Sequence, residues 1–270
     1  MLEYEPHIRG FVFLAVLFLV GLWEIIFPRR PLVSSKTVRW VNNLSLVFLN
    51  SIILRAVFPI MAVGLAVLAE EKDWGLGNAF DLPRLPWLVF SIILLDFLIY
   101  LQHVIFHKLG LLWRLHRMHH IDPDLDVTSG SRFHPVEIAL SMLIKMGIVI
   151  LFGIPALAVF LFEVILNASA MFNHGNIYVP FGLDRVARLI IVTPDMHRVH
   201  HSALREETDS NFGFFLSWWD RLFGTYQAQP KLGHDKMTIG VGLFLDSKYL
   251  KLNWLLAVPF LKPDESPYQK

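Results

Sequence analysis

Eight of the chain's twelve histidines fall into three phased clusters: His103-x-x-x-His107, then His116-x-x-His119-His120, and an echo of the second at His197-x-x-His200-His201. On a helix, residues three and four apart share a face, so each cluster aims its imidazoles in one direction. A lone histidine is usually a satisfied core or surface residue. Three phased clusters on half-buried helices are harder to satisfy, because a ring nitrogen buried without a partner costs on the order of 1–3 kcal/mol. Neutral imidazole is the commonest metal ligand, and this spacing suits ligation. The chain has no cysteine, which excludes disulfides, iron–sulfur clusters and thiolate zinc sites. Any metal is therefore held by nitrogen and oxygen, and nitrogen-rich sites take iron, zinc or copper alike.

The elements that position these residues read as membrane helices. Of the 270 residues, 54% are hydrophobic and only 17% charged, and the mean hydropathy is +0.50, well to the apolar side of soluble domains. A net charge of +1 gives no reason to expect a nucleic-acid partner. An apolar run from Phe11 to Phe27, closed by Pro28-Arg29-Arg30-Pro31, reads as a retained first span, because a cleavable leader carries its positive charge before the run. The following loop holds Arg29, Arg30, Lys36 and Arg39 without an acid, which places it in the cytoplasm. A second span is expected over Leu44–Ala69 and a third over Trp87–Phe106, which delivers His103 and His107 to the inner membrane boundary. Residues 138–173 are apolar but interrupted by Gly153-Ile154-Pro155, so they read as a hairpin of two helices that enters and leaves by the cytoplasmic face and returns His174 to the other histidines.

Start and stop signals place the clusters on helices. Asp122-Pro123 ends the helix of the first triplet, Pro135 opens the next helix, and Thr193-Pro194-Asp195 is a helix start with a threonine cap. His134 is either a further ligand or the cap of the helix that Pro135 opens. Asp96, inside the third span and two turns before His103, supports the site or bonds a neighbouring segment. Glu163, Asn167 and His174 share a face that looks into the bundle. Trp218-Trp219 and their neighbours suggest an interfacial aromatic belt, and the stretch from Leu243 to Pro259 suggests a segment lying along the membrane.

Taken together, these residues resemble the fatty acid hydroxylase and sterol desaturase superfamily of integral-membrane di-iron enzymes. The resemblance rests on the three clusters, on Arg132-Phe133-His134-Pro135, His174-Gly175-Asn176 and Asn211-Phe212-Gly213, and on Trp219-Asp220-Arg221-Leu222-Phe223-Gly224-Thr225. It covers roughly residues 85–230. It implies an all-α fold, a bundle of about four transmembrane helices including a helical hairpin, topped by a cytoplasmic histidine-rich cap. Residues 1–84 supply N-terminal membrane helices, 85–230 the catalytic domain and 231–270 a membrane-interface tail. The implied ligands of two non-haem irons are His103, His107, His116, His119, His120, His174, His197, His200 and His201, with Asp220, Asp96, His134 and Asn167 as further ligands or supporting groups. Ala170 stands where some members have a further histidine, and His134, Asn167 or water are its substitutes.

The resemblance further implies hydroxylation or desaturation of a lipid with dioxygen, in a multi-pass protein of a bacterial inner membrane or endoplasmic reticulum. Two electrons come from a separate NAD(P)H-linked electron-transfer protein, because the chain shows no flavin fingerprint and no haem-carrier domain. The rival class is a membrane haem or metal-binding electron-transfer protein, for which triplets with adjacent histidines are unnecessary. A zinc hydrolase would carry His-Glu-x-x-His, and that string does not occur.

Overall fold

A computed structural model describes residues 2–80 and 82–262; the end of the tail lies outside the described residues. The chain is all-helical, and among the described residues the only β-structure is three isolated bridges. Five helical stretches are long and apolar enough to cross a membrane, one more than the bundle of about four expected. The excess arises because both arms of the hairpin, with 18 and 19 residues, rise about 27 Å or more at 1.5 Å per residue, close to the thickness of a hydrocarbon core.

Helix α1 spans Glu5–Ile26 and α2 spans Lys36–Val57, the latter capped by the Ser35 side chain on Val38 N–H. The expected second span, Leu44–Ala69, is not one helix. It stops before Phe58-Pro59, because proline disfavours helical backbone in the residue preceding it, and resumes as α3 (Ala62–Glu71). A single turn, α4 (Leu76–Ala79), leads to α5 (Arg84–Lys108), and α6 (Gly110–His120) stops just before Asp122-Pro123 as expected. Helices α7 (Pro135–Phe152) and α8 (Ala156–His174) form the hairpin, with Gly153 at φ 63° closing the first arm and Pro155 preceding the second. The remaining α-helices among the described residues are short: α9 (Phe181–Ala187), α10 (Pro194–His200), α11 (Arg205–Thr208), α12 (Trp218–Leu222), α13 (Gly233–Lys236) and α14 (Leu252–Ala257).

Two packing centres position the site. Small residues on α3, Ala62 and Ala66, let it sit close against Leu95, Met142, Val159 and Phe162 of α5, α7 and α8. In the second centre Leu46 and Met118 meet Val241, Phe244, Leu255 and Val258, so the segment expected to lie along the membrane packs by one side on α2 and α6. There Arg114 Nε donates to the Pro259 carbonyl, and Arg117 donates to the carbonyls of Val258 and Leu261, each at 2.7 Å. Between the centres, the loop 121–132 is tied to α2 by a fully buried ion cluster. Arg39 meets Asp122 and Asp126 at 2.7 Å, and Arg132 meets Asp122 at 3.2 Å.

Candidate metal centre

All nine expected ligands come together, buried, in two adjoining groups. The first holds His103 and His107 from α5, His116 and His120 from α6, and His200 from α10; the second holds His119 from α6, His174 from the end of α8, His197 from α10 and His201 just after it. Within each group one nitrogen of every ring lies within 4.8 Å of the others. Helices α6 and α10 feed both groups because neighbouring positions on one turn point to slightly different sides, and the His120 and His201 rings stack at 4.4 Å where the groups meet.

The outer nitrogens of most rings are held by the protein. His103 Nδ1–H donates to the Phe212 carbonyl at 2.8 Å, His174 to Ala170 at 2.6 Å, His200 to Ser210 at 2.7 Å and His119 to Arg132 at 3.2 Å. His116 donates to the Glu137 carboxylate at 2.7 Å, and Asp209 lies 3.4 Å from His107 Nδ1. A carbonyl accepts only, so each such contact fixes the proton on Nδ1 and leaves Nε2 as a bare lone pair. Yet those lone pairs face one another. His103 Nε2 lies 3.0 Å from His116 Nε2, and His119 Nε2 lies 3.0 Å from His174 Nε2. No proton is available between two such acceptors, and His200 Nε2 is buried without any partner. A cation at each convergence point resolves all of these conflicts, so the residues present fit a pair of metal ions.

Burial also keeps the imidazoles of α6 and α10 neutral, the form that can ligate. It holds His119, His120, His197 and His201 well below the usual imidazole range, helped by their mutual repulsion, and brings His200 down to about 3.

The other expected site residues lie around this centre rather than in it. His134 caps α7, its Nδ1 accepting from Val136 N–H, and its Nε2 donates to the Leu256 carbonyl. Asn167 donates to the Glu163 carbonyl one turn back on α8. Neither is placed to replace the histidine missing at Ala170, whose carbonyl is instead occupied by His174. Glu163 pairs with Arg9 and Lys145, away from the histidines. Asp96 accepts from Leu216 N–H at 3.2 Å and Trp219 Nε1–H at 2.8 Å, so it bonds a neighbouring segment. Asp220 accepts from the amides of Phe212 and Gly213 and from the Thr225 hydroxyl, and thereby holds the carbonyl that His103 uses.

The roles of Glu137, Asp209 and the carbonyls of Arg132, Ala170, Ser210 and Phe212 are not legible in the sequence. The one available signal was Glu137 in the first turn after His134-Pro135, and nothing local distinguishes it from an acid stabilising a helix start.

A family model described as fatty acid hydroxylase matches residues 88–225. Ornithine lipid hydroxylase OlsE of Rhizobium tropici is 33% identical over 145 residues, 53% of this chain and 42% of that protein. Alkylglycerol monooxygenase of Homo sapiens is 28% identical over 163 residues, 58% of this chain and 34% of that one. The enzyme of the same name from Caenorhabditis elegans is 26% identical over 222 residues, 78% of this chain and 42% of its own. The chain thus spans well under half the length of these relatives. No solved structure matches it significantly.

Proposed function

The chain belongs to the fatty acid hydroxylase family, and from that premise we propose that it is a membrane-bound lipid oxygenase whose nine buried imidazoles hold two iron ions. The observation that carries this reading is the opposition of Nε2 lone pairs in both groups while the Nδ1 protons are committed outward. Iron held in this way supplies the oxidation of an unactivated C–H bond with dioxygen, chemistry that side chains alone lack. The chain's own residues contribute position and dryness. Phe212 and Phe214 pack against the His103 ring with centroids at 5.4 and 5.1 Å, and Phe133 stacks on His119 at 4.6 Å, so apolar walls exclude water from both groups. Glu137 and Asp209 bring negative charge to the five-histidine group, which makes its rings stronger donors to a cation.

The substrate is a lipid, and hydroxylation is favoured over desaturation because the relatives are named for hydroxylase and monooxygenase activity. Residues 85–230 carry the catalytic centre, 1–84 supply N-terminal membrane helices and the tail from residue 231 onward lies at the membrane interface. The metal end faces the cytoplasm, since the basic loop with Arg29, Arg30 and Lys36 lies at that end, Arg29 pairing with Asp195 at the start of α10. Electrons arrive there from a separate NAD(P)H-linked carrier.

Elemental analysis of detergent-purified protein from iron-supplemented cells tests the reading. Close to two irons per chain without haem is expected; haem, or at most one metal per chain, overturns it. The His119→Ala protein is expected to insert in the membrane and to leave lipid profiles unchanged from cells lacking the protein; lipid oxidation at the wild-type rate would remove His119 from the site.

A further inference from the structure

We infer that α9 and α12, although they belong to the cap, form a wedge that inserts into the acyl chains of the bilayer beside α5. The reading rests on α5 spanning a membrane. The end of the bundle away from the metal centre is fixed in water by Glu70 and Glu71 at the end of α3, by Lys72 and Asp73 after it, and by the hairpin turn, whose Gly153 carbonyl accepts from Trp87 Nε1–H. From Trp87, a hydrocarbon core of about 30 Å takes up about 20 residues of α5 and ends near His107. Phe97 and Tyr100 therefore lie about 15 and 20 Å into that core. Against these two side chains packs Phe223, stacked at 5.7 and 5.6 Å, and Trp219 packs on Phe97 at 5.0 Å. The segment around α12 thus lies alongside the spanning stretch of α5, below the level of its histidines.

The chemistry of the segment agrees with that depth. Irregular backbone survives in hydrocarbon only where its polar groups are met inside the protein. Leu216 N–H donates to Asp96, Ser217 N–H to the Ile190 carbonyl, and Thr225 N–H to the Asp220 carbonyl, while the Tyr100 hydroxyl and Thr225 hydroxyl bond at 2.9 Å. This gives the acid inside α5 its role: Asp96 is the acceptor for an amide and an indole that lie at membrane depth. Most of the outward side chains are apolar, with Leu222 70% exposed and Trp218 and Phe223 about half exposed. Of the two exposed cations, Arg221 donates to the Arg188 carbonyl and covers the Tyr226 ring, and Arg185 on α9 has a stem long enough to keep its charged head in water. Helix α9 extends the same surface. The Ile191–Leu216 bridge and the bond from Trp218 Nε1–H to the Leu189 carbonyl hold it there, and it exposes Phe181 and Leu183, the latter by 66%. A surface of this kind, continuous with a lipid-facing helix, fits acyl chains.

The absence of native cysteine makes the test direct. Single variants Leu183→Cys and Leu222→Cys carry a nitroxide label on the full-length protein in nanodiscs of phosphatidylcholine and phosphatidylglycerol. Phe18→Cys on α1 serves as the lipid control and Lys236→Cys, beside the exposed Asp235, as the water control. Labels at 183 and 222 are expected to relax with dioxygen and to resist a water-soluble nickel chelate, as at 18 and opposite to 236. Nickel accessibility equal to that at 236 overturns the wedge while leaving the spanning reading intact, whereas nickel accessibility at 18 overturns both. Exclusion of both relaxants with dipolar broadening between labels overturns lipid contact in favour of a second copy of the chain.

Discussion

Glu137 accepts the His116 Nδ1 proton at 2.7 Å with one oxygen, and its other oxygen is buried without a partner. On the proposed metal reading, the pairing would make His116 a stronger ligand and fix which nitrogen faces the cation. Glutamine preserves the acceptor and removes the charge, so Glu137→Gln is expected to keep the fold and lower metal affinity by about 10- to 100-fold, read by competition with a chelator of known affinity. An unchanged affinity would mean that the carboxylate serves packing alone. Asp220 acts one step further out. Both of its oxygens receive amides, from Phe212 and Gly213, and the Phe212 carbonyl receives His103. An asparagine in its place would turn an amide group towards one of those donors, so Asp220→Asn is expected to shift the Phe212 carbonyl and weaken the five-histidine group selectively. Metal content should then fall from two per chain towards one. Equal loss from both groups would deny the selectivity of this link.

At the scale of elements, the four-histidine group depends on how closely the turn at 129–131 approaches α8. A Cβ on Gly130 would sit 2.4 Å from the Ala170 carbonyl oxygen, which is backbone and unable to move aside. That carbonyl holds His174, and Arg132, two residues beyond Gly130, holds His119. Gly130→Ala is therefore expected to cost about 1–3 kcal/mol of overpacking and to empty the four-histidine group first, measured by thermal unfolding in detergent together with metal content. A fully loaded, equally stable variant would show that the turn has slack. This dependence is invisible in the sequence, where Gly130 is one small residue in a polar loop. What the sequence does show follows from period and punctuation: the clusters lie on faces three and four residues apart, Gly153 and Pro155 break the hairpin where a helix would need an amide donor, and Thr193 caps α10. What it conceals are contacts between distant segments and contacts to backbone. The outer partners of five of the clustered rings are four carbonyls and one acid 21 residues from its histidine. Trp219 reads as a belt residue by type, yet its indole serves Asp96, 123 residues away. The second span looks continuous because its hydropathy is continuous; only the residue before Pro59 marks the break between α2 and α3.

For the molecule as a whole, the proposed metal centre is the point where α5, α6, α8 and α10 meet, and those helices bring opposed lone pairs with them. Ions that bind only this folded arrangement stabilise it by mass action, about 4 kcal/mol when free metal exceeds its dissociation constant 1,000-fold. Stripping with a chelator is accordingly expected to lower the unfolding temperature in detergent and to leave helices present, since α3, α7 and α8 have their own apolar centre. Protons act in the same direction. Burial holds His119, His120, His197 and His201 far below the ordinary imidazole range and His200 at about 3. In the unfolded chain the same rings titrate near about 6.5. Above that pH both states carry neutral rings and the term vanishes. Below it the unfolded chain binds more protons than the folded one, so stability falls as pH falls. The unfolding temperature of the stripped protein is thus expected to be level between pH 8 and 7 and to decline steadily from 6.5 to 5, with the loaded protein above it and declining too as protons compete for the ligands. A stripped protein whose unfolding temperature holds constant down to pH 5 would mean that the imidazoles ionise freely in the folded state, and that the cap does not seal the two histidine groups from water.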